Sequence, residues 1–196
     1  PPQAEQRPVQ ATRIVRRLEI VDGQQRVGGQ TGERSGGIDP EILERLRRGV
    51  PLRLSAMGEF RWGDEDISHP RVLGALRRGL DVTEDGEPIV RLGHQWCYIT
   101  VEDTLLRANA ARIDGDVLQV RLDDGRIVEL DPTTLWEEPG HGLRATAPSA
   151  CTGRPVSVRF NNHAQLDLAD RLELEDGRPV LHLGAQRLCI PSEPPA

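Results

Sequence analysis

From residue 39 onward the chain passes from a polar, Gly- and Gln-rich stretch into alternating apolar and polar positions. Asp39 before Pro40 has the form of an N-cap followed by proline at the first helical position. Ile42, Leu43 and Leu46 then recur at helical spacing, so the pattern predicts a helix over 40–48, stopped by Gly49, with these three side chains facing inward. Residues 51–62 (PLRLSAMGEFRW) read as two strands around Met57-Gly58. Val72, Leu73, Leu76 and Leu80 predict a second helix over about 69–79, with Ser68 as its cap and Pro70 in its first turn. Beyond it the period drops to two. Val117–Leu122 and Arg126–Leu130 oppose each other across Asp124-Gly125, a strong hairpin signal. The Pro/Gly-rich stretch 137–154 reads as a loop and Val156–Phe160 as a strand. Asn162 would cap a short helix over 163–170, although Leu166, Leu168, Leu172 and Leu174 also fit a strand period.

One pattern occurs twice. Glu84–Ile99 reads EDGEPIVRLGHQWCYI and Glu175–Ile190 reads EDGRPVLHLGAQRLCI, with eight of sixteen positions identical and no gap. Repetition at a fixed offset points to a duplicated unit, here strand–turn–strand–turn–strand around Asp-Gly. The expected fold class is therefore α+β and β-rich, with two similar small lobes, each carrying the repeat and one packed helix. The expected boundaries are a flexible tail over 1–38, a first lobe over 39–105 and a second over 106–196. The tail prediction rests on composition: PPQAEQRPVQAT and the Gly/Gln/Arg stretch at 23–37 cannot bury enough apolar surface to offset ordering entropy.

Composition narrows the function classes. All 25 basic residues are arginine, and the formal net charge is −6, which argues against a general nucleic-acid surface. Three cysteines without a CxxC pair, no long apolar run and no signal-like segment lead to the expectation of a cytoplasmic protein with reduced thiols.

Candidate chemistry is sparse. No GxSxG or phosphate-loop frame is present, so neither a catalytic residue nor a cofactor is expected. His94 and Cys97 form H-x-x-C, yet on a strand i and i+3 point to opposite faces, and the second copy carries Ala185 and Leu188 there. A tetrahedral site needs converging ligands, so no metal is expected. Loop acids, Glu102-Asp103 among them, keep open a metal-dependent or acid/base enzyme as the alternative. Trp62 and Trp96 are large rings in a chain with only six aromatic residues, and Arg91 stands five positions before Trp96. Such residues suit an interface or a ligand surface.

The string Met57-Gly58-Glu59-Phe60-Arg61-Trp62, then Ile67, then Val72, Leu73 and Leu76 with Arg77-Arg78, and later Ile99-Thr100-Val101-Glu102-Asp103, resembles the bacterial family known as domain of unknown function 1285 (DUF1285). The resemblance spans about 50–191. It implies a mixed α+β fold with two similar structural motifs and a suggested part in signal transduction, and it carries over no catalytic residues. The chain departs from the family in its few aromatics, in the 137–154 loop and in lacking the aromatic pair of the last helix.

The reading that follows is a non-enzymatic binding or regulatory module for an unidentified protein or small effector, without nucleic-acid or membrane partners. A groove between the lobes would be served by Trp62, Arg91, Trp96, Glu102 and Asp103. A homodimer through exposed β edges is compatible with it.

Overall fold

The computed structural model describes residues 39–195. The tail expected over 1–38 lies outside them. The fold is α+β, and the described residues divide into two compact units: 39–79 with 83–102, and 80–82 with 103–195.

In the first unit, helix α1 (Pro40–Arg48) starts as the sequence predicts: the Asp39 carboxylate accepts from the Glu41 amide at 2.9 Å. Strand β1 (Leu52–Leu54) pairs antiparallel with β2 (Phe60–Trp62), which pairs with β3 (Glu65–Asp66). Helix α2 (Pro70–Arg78) follows. Its N-cap is His69 rather than Ser68, and no side chain caps it. Gly79 ends it where backbones nearly touch: a Cβ there would lie 2.2 Å from the Arg91 carbonyl oxygen, and the Arg91 amide donates to the Gly79 carbonyl at 2.7 Å. Only glycine fits such an approach. Strand β4 (Leu80–Val82) belongs to the second unit. Strands β5 (Pro88–Leu92) and β6 (Gln95–Tyr98) form a hairpin, and β7 (Thr100–Val101) joins β1 in parallel. The unit's core contains Leu52, Leu54, Phe60, Leu76, Ile89 and Val90.

The second unit is built on a six-stranded sheet. Its strands are β8 (Leu106–Asp114), β9 (Val117–Leu122), β10 (Ile127–Leu130), β11 (Trp136–Glu138), β12 (Gly142–Pro148) and β13 (Pro155–Phe160), in the order β10-β9-β8-β13-β12-β11. The β9–β10 pairing across Asp124-Gly125 is the predicted one, with Val128 opposite Val120. The 137–154 stretch is not a loop: β12 lies inside the sheet with Leu143, Ala145 and Ala147 buried. Pro139-Gly140 and Pro148 mark its ends, and the period-two run Leu143, Ala145, Ala147 between them is a strand signal that the Pro/Gly content masks. The last helix, α3 (Asn162–Leu166), is capped by Asn161, whose side chain accepts from the Ala164 amide. A 3-10 turn over Ala169–Arg171 then replaces the rest of the predicted helix, and Leu172 and Leu174 enter a strand.

That strand, β14 (Leu172–Glu175), with β15 (Arg178–Leu183) and β16 (Gln186–Cys189), makes a three-stranded antiparallel sheet. The two sixteen-residue segments form hairpins of one register. Ile89–Tyr98, Val90–Cys97, Arg91–Trp96 and Leu92–Gln95 are paired in one, and Val180–Cys189, Leu181–Leu188, His182–Arg187 and Leu183–Gln186 in the other. The Ile99 amide donates to Pro88 and the Ile190 amide to Pro179, again at equivalent positions. Gly86 and Gly177 both take positive φ, but Asp176 does so as well, whereas Asp85 does not. The turns therefore differ in type.

Candidate functional site: an arginine–aromatic cluster beneath an aliphatic helix face

Alternation along β6 puts Trp96 and Tyr98 on one side of the strand and Cys97 on the other. Cys97 is buried, and burial pushes its thiol up to about 11, so it is a protonated packing group. Trp96 and Tyr98 meet edge to face, with ring centroids 5.2 Å apart. Helix α1 lies over these rings through its arginines. The Arg47 guanidinium carbon sits 4.0 Å from the Trp96 centroid, and that of Arg48 sits 3.8 Å from the Tyr98 centroid. The electron-rich ring faces attract the two cations, and the planar guanidinium can stack on them.

Carboxylates fix the arginines from the sides. Arg48 Nε donates to Glu44 at 3.0 Å, one helical turn before it. Its two terminal nitrogens donate to both oxygens of Glu87 at 2.9 and 2.8 Å, a bidentate fork. The hydrogen bond from Arg48 holds the Glu87 carboxyl below the usual carboxylate range. A hydrogen bond to Glu44, aided by desolvation, pushes the Tyr98 phenol up to about 12.

This anchoring decides which side of α1 meets solvent. Leu43, Glu44 and Arg47 are half-buried on the strand side. Ile42 and Leu46, expected to face inward, remain 43% and 48% exposed. The inward stripe expected from hydrophobic period alone is displaced because β6 offers rings and carboxylates, for which guanidinium groups are the better complement. Two aliphatic side chains one helical turn apart, flanked by Glu41 and Arg45, are left facing water.

The other residues singled out from sequence fall apart into separate settings. Arg91 and Trp96 are brought together as a cross-strand pair. Trp62 is half-buried at the end of β2, opposite Leu52 on one side and Glu65 on the other. Glu102 accepts from the Ala56 amide at 2.9 Å and closes the turn after β1, while its own amide bonds the Leu54 carbonyl. Asp103 lies in the second unit, only 10% exposed, accepting from Arg144 at 2.7 Å and from Arg159 at 3.0 Å. Burial alone would raise its carboxyl, but the two guanidinium partners outweigh that and hold it low. Glu138 is also bound to Arg144. The neighbouring acids Glu102 and Asp103 thus bond different partners. Sequence reasoning missed Glu44, Arg47, Arg48, Glu87 and Tyr98. The available signal was the i,i+2 placement of Trp96 and Tyr98 opposite a helix ending in Arg47-Arg48.

Among the described residues no helix is long and apolar enough to cross a membrane. No protein-family model matches the chain, and no curated protein does. Two solved structures resemble it. One, a DUF1285 family protein from Silicibacter pomeroyi, matches at 16% identity with a TM-score of 0.57, covering 80% of this chain and 89% of its own. The other, a DUF1285 family protein from Shewanella baltica, matches at 12% identity with a TM-score of 0.49, covering 62% of this chain and 92% of its own. The chain therefore resembles, in its fold, the family that its Met57–Trp62 string and the following apolar helix had suggested.

Proposed function

We propose that this chain is a non-enzymatic cytoplasmic module that binds a protein partner through the outward side of α1. The observation that carries the reading is the inverted packing of that helix. Its arginines hold it to Trp96 and Tyr98, while Ile42 and Leu46 stay exposed. Aliphatic anchors at i and i+4 on a helix are the pattern that docks into an apolar groove of another protein. Two exposed aliphatic side chains on one helix face suit a protein groove better than a small effector, which needs an enclosing, largely apolar site. The rival acid/base reading loses its best candidates, because Glu102 closes a turn and Asp103 is neutralised by two arginines. The role in signal transduction implied by the family resemblance fits a module of this kind, and free cysteines fit a reducing compartment.

The test is a double variant, Ile42→Ser with Leu46→Ser, compared with wild type in the organism of origin. Proteins that co-purify with each chain are quantified by mass spectrometry, and melting temperatures are measured on the purified chains. The reading expects an unchanged melting temperature and the loss of a stoichiometric partner. A large drop in melting temperature would place these side chains in a core, and a partner retained at wild-type level would place binding elsewhere.

A further inference from the structure

We propose that Glu173, Glu175 and His182 form a binding site for a divalent transition metal of the zinc class. The site lies in the second unit. Glu173 and Glu175 stand two apart on β14, so they share a face. The hairpin turn at Asp176-Gly177 brings β15 back beside them, and His182 comes with it. One ligating atom from each residue can be chosen so that all three lie within 4.8 Å of one another.

The histidine supplies the second observation. Its Nε2 is shielded from solvent and makes no hydrogen bond, although Glu173 Oε2 is only 3.2 Å away. The two atoms are close without being aligned as donor and acceptor. Ligands on one tetrahedral ion, each about 2.0–2.2 Å from it, are roughly 3–3.5 Å apart, which is the spacing seen for this pair. Glu173 and Glu175 are exposed enough to close the remaining distance by rotamer change. Imidazole with two carboxylates favours a borderline ion such as Zn²⁺ over Ca²⁺ or Mg²⁺, which take oxygen ligands. Three protein ligands leave a position for water.

One neighbour opposes the ion. Arg187, paired across the hairpin with His182, donates to Glu175 Oε1. The guanidinium competes for that carboxylate, and this competition makes the site testable in both directions. The expectation of no metal rested on the His and Cys residues of the two repeat segments, His94 with Cys97 and His182 with Cys189, which do not occupy equivalent positions. Strand pairing assembles a different set, using a glutamate pair from just ahead of the second repeat segment and within its first residue.

The experiment uses the full chain, stripped with a chelator and titrated with Zn²⁺ by calorimetry and with Co²⁺ by visible absorption. One equivalent of each is expected. Glu173→Gln, which alters an exposed side chain, and His182→Ala should each weaken binding by roughly tenfold or more at unchanged melting temperature of the metal-free protein. Arg187→Gln should tighten it. Cys189→Ser and His163→Ala should leave it unchanged. Absence of saturable one-equivalent binding, indifference to Glu173→Gln, or weakening by Arg187→Gln would overturn the assignment, as would loss of binding confined to Cys189→Ser.

Discussion

The guanidinium of Arg47 lies over the ring of Trp96, 4.0 Å from its centroid, and this contact turns α1 so that Arg47 faces β6 while Ile42 and Leu46 face water. A neighbouring contact, Arg48 over Tyr98, repeats the arrangement one residue on and adds the fork to Glu87. The helix is nine residues long, too short to be stable alone in water. Its order therefore depends on these contacts. Trp96→Ala should destabilise the first unit by about 1–2 kcal/mol, combining lost cation–π attraction with partial loss of buried ring area. Chemical denaturation followed by far-ultraviolet circular dichroism measures this. An unchanged midpoint would show that α1 is held by something else.

Tyr98 reports the same cluster optically, because it is the chain's one tyrosine. Its phenol is pushed up to about 12 from an ordinary value of 10.0, mainly by the hydrogen bond to Glu44. A folded-state value above the unfolded one means that the neutral phenol contributes stability fully present below pH 10, lost as the pH rises towards 12. Spectrophotometric titration of tyrosinate should give a midpoint well above 10 in the wild type. In Glu44→Gln it should move back towards 10. A midpoint near 10 in the wild type would contradict the geometry.

Asp103 gives the opposite sign. Its carboxyl is held below the ordinary 3.8, the hydrogen bonds from Arg144 and Arg159 outweighing burial. The stability it contributes is present above that value and is lost as the pH falls through the lowered one. Asp103→Asn leaves Arg144, itself only 10% exposed, without its closest carboxylate in that cluster other than Glu138. The cost at neutral pH should be about 3 kcal/mol, shrinking as the pH falls below 3.8, where the unfolded chain's carboxylate is protonated first, and on through the lowered folded value. Urea melts at pH 7 and pH 3 test this. A difference that is independent of pH would contradict it.

Glycine positions separate two mechanisms. At Gly79 an added Cβ would meet the Arg91 carbonyl oxygen at 2.2 Å and the Val90 side chain at 3.1 Å. Gly79→Ala should therefore cost more than about 2 kcal/mol, since backbone must move. Gly86 and Gly177 have open space around them but positive φ, so Gly→Ala there should cost about 1 kcal/mol through backbone conformation alone. Thermal melts of the three variants rank them, and an equal ranking would remove the steric argument.

Much of the fold was legible because local signals agreed with tertiary context. Asp39-Pro40 started a helix, Asp124-Gly125 closed a hairpin, and the two sixteen-residue segments paired in the same register. The errors arose where a local signal competed with a non-local one. Pro139-Gly140 suggested a loop, but β12 is held by β13, whose Val158 opposes Ala145. Ile42 and Leu46 fit an inward stripe, but strand β6, about fifty residues later, presents rings that bind arginine instead. Glu102 and Asp103 are adjacent in the chain, but Glu102 accepts from the Ala56 amide and Asp103 from Arg144, partners that adjacency in sequence does not reveal.

The most direct test of partner docking on α1 is site-specific photocrosslinking in the organism of origin. A photoreactive residue is placed at Leu46 and, as a control, at Ile127, which is 69% exposed in the second unit. The account predicts a discrete crosslinked protein from position 46, absent from position 127 and lost when Ile42→Asp is added while the chain stays folded. Equal adducts from both positions, or an adduct at position 46 that survives Ile42→Asp, would contradict it.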